Sequence, residues 1–260
     1  MDRQALLGLN HYKNKSDIIV FESPSVNRAN EVALEILEKY SDFKTALFLS
    51  GGSTPKKFYE MIVNKETLKA GAVGLVDERF GKKGHRHSNE LMAENSGLVK
   101  YFESKNIRFY PVLQSEALSI EDIAMQHDEA LRFLFKYIPK SVGILGIGAD
   151  GHTAGLPSGI QKSNNKNQKL AEINKRILND QGSFVSFYED ESKIYGPRIT
   201  MTYTGLSQLD LLLVMVLGSE KREALKSMFK DDGEIEDCPA RFYLRPEIAK
   251  KTILITDQVV

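Results

Sequence analysis

The chain has 260 residues, with 35 Lys plus Arg against 35 Asp plus Glu. That length suits one or two domains and a substantial core, and a formal net charge of zero gives no electrostatic reason to bind nucleic acid or an anionic membrane. The one cysteine, Cys238, excludes an internal disulfide and a cysteine-based zinc cage. Met1 to Asn10 lacks the apolar core of a signal peptide, and no uncharged apolar run approaches the roughly 20 residues of a membrane span. The expectation is a soluble, reduced, cytoplasmic protein.

Asp17–Glu22 (DIIVFE) reads as a first strand, with its β-branched apolar centre. Ser25 or Asn27 caps the next helix, whose Val32, Leu34, Ile36 and Leu37 form much of an apolar stripe ending near Tyr40. Thr45–Ser50 is a second strand. It runs into Ser50-Gly51-Gly52-Ser53-Thr54-Pro55 and then a helical stretch, Lys56 to Val63. Thr54 suits the N-cap and Pro55 the first helical position. A glycine turn feeding a helix N-terminus is a favourable anion site, though an ordinary strand-to-helix turn has the same look. The spacing is neither the P-loop nor the dinucleotide fingerprint.

Ala72–Val76 is a third strand. Asp77-Glu78-Arg79 at its carboxyl end is either solvated loop or site, because three charges are not core material. Gly81 to His87 is a basic loop in which His85 and His87 read as plain surface rather than metal ligands. Ser88 caps a helix over Asn89–Phe102, and Ile107–Val112 is the fourth strand. Ser119 caps a long helix, Ile120–Tyr137, with Ile123, Ala130, Leu131, Leu134 and Phe135 facing inward and His127 at the surface or half-buried.

Pro139 stops that helix. Val142–Gly148 is the fifth strand and breaks into Ala149-Asp150-Gly151-His152, a glycine turn carrying one carboxylate and one imidazole. Ser158–Gly182 is polar, with a short helix at Leu170–Leu178, and is either a mobile flap or a solvated excursion. Phe184–Tyr188 and Arg198–Tyr203 read as strands. Leu211–Leu217 (LLLVMVL) is the continuous apolar run of a strand covered on both faces. Gly218-Ser219-Glu220-Lys221 opens a helix with Ser219 as cap and Leu225, Met228 and Phe229 inward, and Thr252–Thr256 is the last strand.

Strands alternating with helices predict an α/β protein, a single domain over 1–260 with a largely parallel open sheet flanked by helices. In such a sheet four strand ends share one edge: Ser50–Thr54, Asp77–Arg79, Asp150–His152 and Gly218–Lys221. Together they suit a small phosphorylated substrate, gripped by Arg and Lys, with His152 as base or acid near neutral pH. No serine stands in a Gly-x-Ser-x-Gly elbow.

At these residues the chain resembles the 6-phosphogluconolactonase family, which is related to the glucosamine-6-phosphate deaminases. The resemblance runs through Ser50–Pro55, Asp77–Arg79 with Ser88-Asn89 after it, Gly146–Ala154, Pro197–Thr202 and Gly218–Lys221, with Pro239-Ala240 as a weaker element. It implies a Rossmann-like fold of the glucosamine-6-phosphate deaminase/isomerase type. It also implies hydrolysis of 6-phospho-D-glucono-1,5-lactone to 6-phosphogluconate, in the oxidative pentose phosphate pathway, with no metal and no cofactor. By that resemblance His152 activates water and Asp150 holds or polarises the site. The glycine turns supply N–H groups to the oxyanion. The phosphate lies on Gly51, Gly52, Ser53 and Thr54, with Asp77 in the substrate site and Arg79, Arg198 and Lys221 as cationic partners. The implied partner is a phosphorylated sugar lactone, and the protein is a monomer or small homo-oligomer.

Two alternatives stand beside it. The deaminases carry a Glu five residues after the histidine, where this chain has Pro157, which cannot exchange protons. A non-catalytic sugar-phosphate-binding protein is the other. The stretch before the first strand is too short for a helix-turn-helix DNA reader. The lactonases typically continue Ser-Leu-Phe-Pro-Gly, whereas this chain has Gly155-Leu156-Pro157-Ser158-Gly159, and its His152–Arg198 segment is longer than usual.

Overall fold

The apolar runs of the sequence become strands, and the polar punctuation between them becomes caps and turns. The computed structural model describes residues 12–113, 118–160, 166–190 and 196–260. In chain order these form β1 (Lys13–Lys15), β2 (Ile18–Glu22), α1 (Val26–Tyr40), β3 (Thr45–Leu49), α2 (Ser53–Lys65), β4 (Ala72–Leu75), β5 (Asp77–Arg79), α3 (Asn89–Asn95), α4 (Leu98–Ser104) and β6 (Arg108–Phe109). Then come α5 (Ile120–Tyr137), β7 (Lys140–Gly146), α6 (Gln168–Asn179), β8 (Val185–Tyr188), β9 (Arg198–Met201), α7 (Tyr203–Ser207), β10 (Leu211–Val216), α8 (Arg222–Phe229), α9 (Pro246–Ala249) and β11 (Thr252–Thr256). Short 3-10 turns cover Ser219–Lys221 and Pro239–Leu244.

The main sheet has the order β1-β2-β11-β10-β7-β3-β4-β6. Every pairing from β2 to β6 is parallel, and only β1 runs antiparallel at the edge. The core follows from this order. β10 lies between β7 and β11, and all six of its residues are buried, as a strand covered by helices on both faces requires. Residues 16 and 17 turn the β1–β2 hairpin with φ of 51° and 64°. Asp17 therefore belongs to the turn, and the strand starts at Ile18.

A second, smaller sheet is antiparallel, in the order β5-β9-β8. Of the two alternatives for Asp77–Arg79, solvated loop or site, it removes the solvated loop: these residues pair with Thr200, Ile199 and Arg198. It branches from the main sheet at Val76, whose carbonyl accepts from Met201 N at 2.8 Å. The strands predicted over Phe184–Tyr188 and Arg198–Tyr203 thus build this sheet, not the parallel one, as Val185–Tyr188 and Arg198–Met201, with Thr202 capping α7 and Tyr203 opening it.

Ser88 and Ser119 cap as predicted, accepting from Leu91 N and Asp122 N, and of the two candidates for α1 it is Ser25, not Asn27, that caps, accepting from Arg28 N. Three other boundaries differ. The helix after β3 begins at Ser53 with Gly52 (φ +112°) as its cap, so Thr54 and Pro55 lie inside the first turn. Proline is tolerated there because first-turn N–H groups have no intrahelical acceptor. The helix predicted over Asn89–Phe102 is broken at Gly97, where φ of +81° ends one helix and opens the next. Gly218 (φ +106°), not Ser219, leads the turn before α8. His127, predicted at the surface or half-buried, is 3% exposed, with Nε2 3.1 Å from the Leu75 carbonyl.

Within the polar stretch 158–182, residues 161–165 lie outside the described part. α6 is tied down: its Leu170, Ala171, Asn174 and Ile177 are buried, and Asn174 donates to the carbonyls of Ile235 and Glu236. No helix of the described residues is long and apolar enough to cross a membrane.

Candidate active site

Strands β10, β7, β3 and β4 are sheet neighbours and parallel, so their carboxyl ends share one edge. The four loops singled out in the sequence meet there. A cleft of about 220 Å³ is lined by Gly51, Gly52, Thr54, Asp77, Arg79, His152 and Lys221, with Ser50, Pro55, Gly146, Ile147, Gly148, Ala154 and Met215 completing the wall.

The wall at β3 is the start of α2. By helix geometry the N–H groups of Ser53 and Thr54 have no acceptor within the helix, and the dipole adds partial positive charge. Arg79 and Lys221 bring full positive charge to the same cleft. An anion is the natural occupant of that end.

The other wall is the turn after β7. His152 Nδ1 lies 2.6 Å from Asp150 Oδ1, and the same oxygen accepts from His152 N at 3.2 Å. The turn is closed by Gly148 N donating to His152 O (2.8 Å) and Gly151 N to Gly148 O (3.0 Å), with φ of +89° at Gly151. Those two N–H groups are therefore taken up inside the turn, which narrows the expectation that the glycine turns offer N–H groups to an oxyanion. Behind the turn, Thr153 Oγ1 donates to Gly146 O (2.8 Å) and meets the buried Tyr243 hydroxyl. Ser158 Oγ donates to Asp150 O at 2.7 Å. The imidazole is thus carried on a fixed loop, which positioning of a catalytic base requires.

Three predicted residues stand outside the lining. Asp150 backs His152 rather than facing the cleft. Ser53 enters only as the first residue of α2. Arg198 is half-buried and opposite Arg79 in the β5–β9 register. Burial lowers its pKa, and the neighbouring Arg79 charge adds to that effect.

Sequence reasoning missed the frame under Asp77 and Arg79. Glu78 is fully buried. Its Oε1 accepts from Arg79 N (2.6 Å) and Asn89 N (2.8 Å), and its Oε2 from Ser88 Oγ and Glu90 N, both at 2.9 Å. Burial pushes the carboxyl up to about 7, while the N–H donors pull it back. Asn89, also fully buried, donates from Nδ2 to Asp77 O (2.8 Å) and Asp77 Oδ2 (3.2 Å). Its Oδ1 packs so tightly on Gly51 that a Cβ there would come to 1.8 Å. The only signal in the sequence was the Ser88-Asn89 pair ten residues on. No local pattern shows that a carboxylate and a helix start will meet.

A parallel α/β sheet with a helix start, two cations and an oriented imidazole on its carboxyl edge has the groups that an enzyme for small phosphorylated substrates needs. The profile described as "Glucosamine-6-phosphate isomerases/6-phosphogluconolactonase" matches residues 23–253, and the chain belongs to that family. It is 31% identical over 205 residues to a 6-phosphogluconolactonase of Nostoc sp., covering 75% of each chain. It is 30% identical over 235 residues to one of Rhizobium meliloti, covering 87% of this chain and 92% of that one. A glucosamine-6-phosphate deaminase of Lactococcus lactis is 27% identical over 219 residues, covering 79% of this chain and 82% of the relative. In fold it is similar to the 6-phosphogluconolactonase of Plasmodium vivax, with a TM-score of 0.74 at 19% identity over 100% of this chain and 97% of that one.

Proposed function

We propose that the protein hydrolyses 6-phospho-D-glucono-1,5-lactone to 6-phosphogluconate, a step of the oxidative pentose phosphate pathway. One observation carries this: an imidazole oriented by a carboxylate stands in the same cleft as Arg79, Lys221 and the start of α2. An ionised carboxylate only accepts, so the Asp150 contact supports a reading with the ring proton on Nδ1 and Nε2 as the basic nitrogen. Nε2 takes a proton from water as its oxygen adds to the lactone carbonyl. Collapse of the tetrahedral adduct breaks the bond from the carbonyl carbon to the ring oxygen. The imidazolium then returns the proton to that oxygen, which leaves as a hydroxyl. General-base assistance of this kind contributes about 10²–10⁴-fold. The phosphate sits on the first-turn N–H groups of α2 with Arg79 and Lys221, which holds the lactone in register with His152. The chemistry calls for no metal or cofactor, and the enzyme belongs among soluble cytoplasmic proteins.

The amino-sugar deaminase alternative needs a proton carrier five residues after His152. Pro157 is buried and carries none. Lactone hydrolysis measured above a no-enzyme blank is the test. His152→Ala should lose activity by about a hundredfold or more while still binding 6-phosphogluconate. Unchanged hydrolysis removes His152 from the mechanism, and ammonia release from glucosamine 6-phosphate would favour the deaminase.

A further inference from the structure

Arg79 enters the cleft from a short strand, and its own neighbours in that strand do not hold its guanidinium. Nη1 donates to the main-chain carbonyl of His87 at 2.5 Å. Nε is buried, with no hydrogen-bond partner among the described residues. The aim of this arginine thus depends on a carbonyl in the basic loop 81–87, where Lys82, Lys83, Arg86 and His87 are exposed. A loop so exposed fixes nothing unless something fixes it.

His85 does so. Its ring is half-buried, with Nε2 2.8 Å from the Arg79 carbonyl and Nδ1 3.4 Å from His87 N. A carbonyl only accepts, so Nε2 carries the hydrogen. A backbone N–H only donates, so Nδ1 is the acceptor. Both contacts are made together by a neutral ring with its proton on Nε2. The loop is shaped to seat that ring. His85 N donates to Lys82 O (3.0 Å), Ser88 N donates to His85 O (2.9 Å), and Gly84 turns the chain at φ +72°. A Cβ on Gly81 would come within 3.0 Å of His85 Cδ2 and 3.2 Å of Nε2, so residue 81 has no side chain where the ring lies.

We propose that His85 is a positioning residue that clasps the loop onto Arg79. One ring nitrogen holds the main chain of Arg79, and the other holds the residue whose carbonyl holds the Arg79 guanidinium. The cation is then aimed into the cleft before the ligand arrives, which lowers the ordering cost of binding. This rests on Arg79 being a partner of the substrate phosphate, as proposed above.

The test compares His85→Ala, His85→Gln and Arg79→Ala on 6-phosphogluconolactone and on unphosphorylated glucono-1,5-lactone. Loss of a pre-aimed phosphate contact acts on uniform binding, so His85→Ala should raise KM about tenfold with kcat within about twofold. Its rate on the unphosphorylated lactone should not change. His85→Gln should recover most of the affinity, since its amide donates to the Arg79 carbonyl. A long-range proton–nitrogen spectrum of the unaltered protein should show His85 as the Nε2–H tautomer, and this holds as a test even where the alanine variant fails to fold. An Nδ1–H tautomer, equal slowing of both lactones, or a raised KM for Arg79→Ala with none for His85→Ala overturns the clasp. An unchanged KM for Arg79→Ala would instead remove the phosphate role of Arg79, and the clasp with it.

Discussion

Gly148 lies against the His152 imidazole: a Cβ built on it would come to 2.1 Å of both Nδ1 and Cε1, and to 2.7 Å of Asp150 Oδ1. The pair that carries the proposed chemistry has room only because the turn after β7 holds a residue with no side chain at this position. Gly148 is not at positive φ, so a methyl group acts on the ring and not on the backbone. Misplacing a catalytic group by about 1 Å costs on the order of a hundredfold in rate. Gly148→Ala should therefore lower kcat by about that factor, with little change in Tm. The double variant with His152→Ala should be no slower than His152→Ala alone, because there is then no ring to displace. Steady-state kinetics and thermal unfolding of the three variants check this.

Asp150→Asn should lower kcat by on the order of a hundredfold while KM stays within about threefold. The amide no longer demands a proton on Nδ1, so the ring populates the tautomer that has lost its base. A variant that raised KM with kcat intact would give Asp150 a role in binding instead.

Glu78→Gln should destabilise the fold by about 2 kcal/mol, the cost of a buried polar clash with a donor left unpaired. Each carboxylate oxygen accepts twice, and an amide must turn its NH₂ toward one of those donor pairs. Denaturant unfolding reads the loss. KM should rise as well, because Asn89 and Arg79 both hang on this carboxylate.

His127 sets an acid limit on stability. Burial pushes its pKa down to about 4 from an ordinary 6.5, with the Leu75 carbonyl and Asp128 opposing. Between those values the unfolded chain takes up a proton that the folded chain refuses. Stability should then fall as pH drops through that window and level off below it, by on the order of 3 kcal/mol in total. His127→Gln, whose amide still donates to the carbonyl, should flatten the curve. Urea unfolding at pH 7 and pH 5 distinguishes the two.

Much of the scaffold was legible because burial on both faces writes itself as unbroken apolar runs. The runs read at Leu211–Leu217 and Val142–Gly148, which form β10 and β7, needed no partner to be recognised. Caps were legible where a side chain does the capping, as at Ser25, Ser88 and Ser119, and were misplaced where glycine does it, as at Gly52 and Gly218. Asp77 and Glu78 were hidden for a different reason. Their burial is stabilised by donors on Ser88, Asn89 and Glu90, and a charge satisfied from a distance looks in sequence like a charge in water.

The sequence by itself determined the candidate residues and the parallel alternation that puts their loops on one rim, since periodicity and turn residues are local properties. Only the tertiary structure decided which of them face the cleft. It set Arg79 inside and left Arg198 outside the lining, though both are arginines beside strand pairs. It also gave the exposed-looking His85 a task on Arg79. The physical reason is that hydrogen-bond direction and burial are fixed by partners distant in the chain, and no spacing rule encodes those.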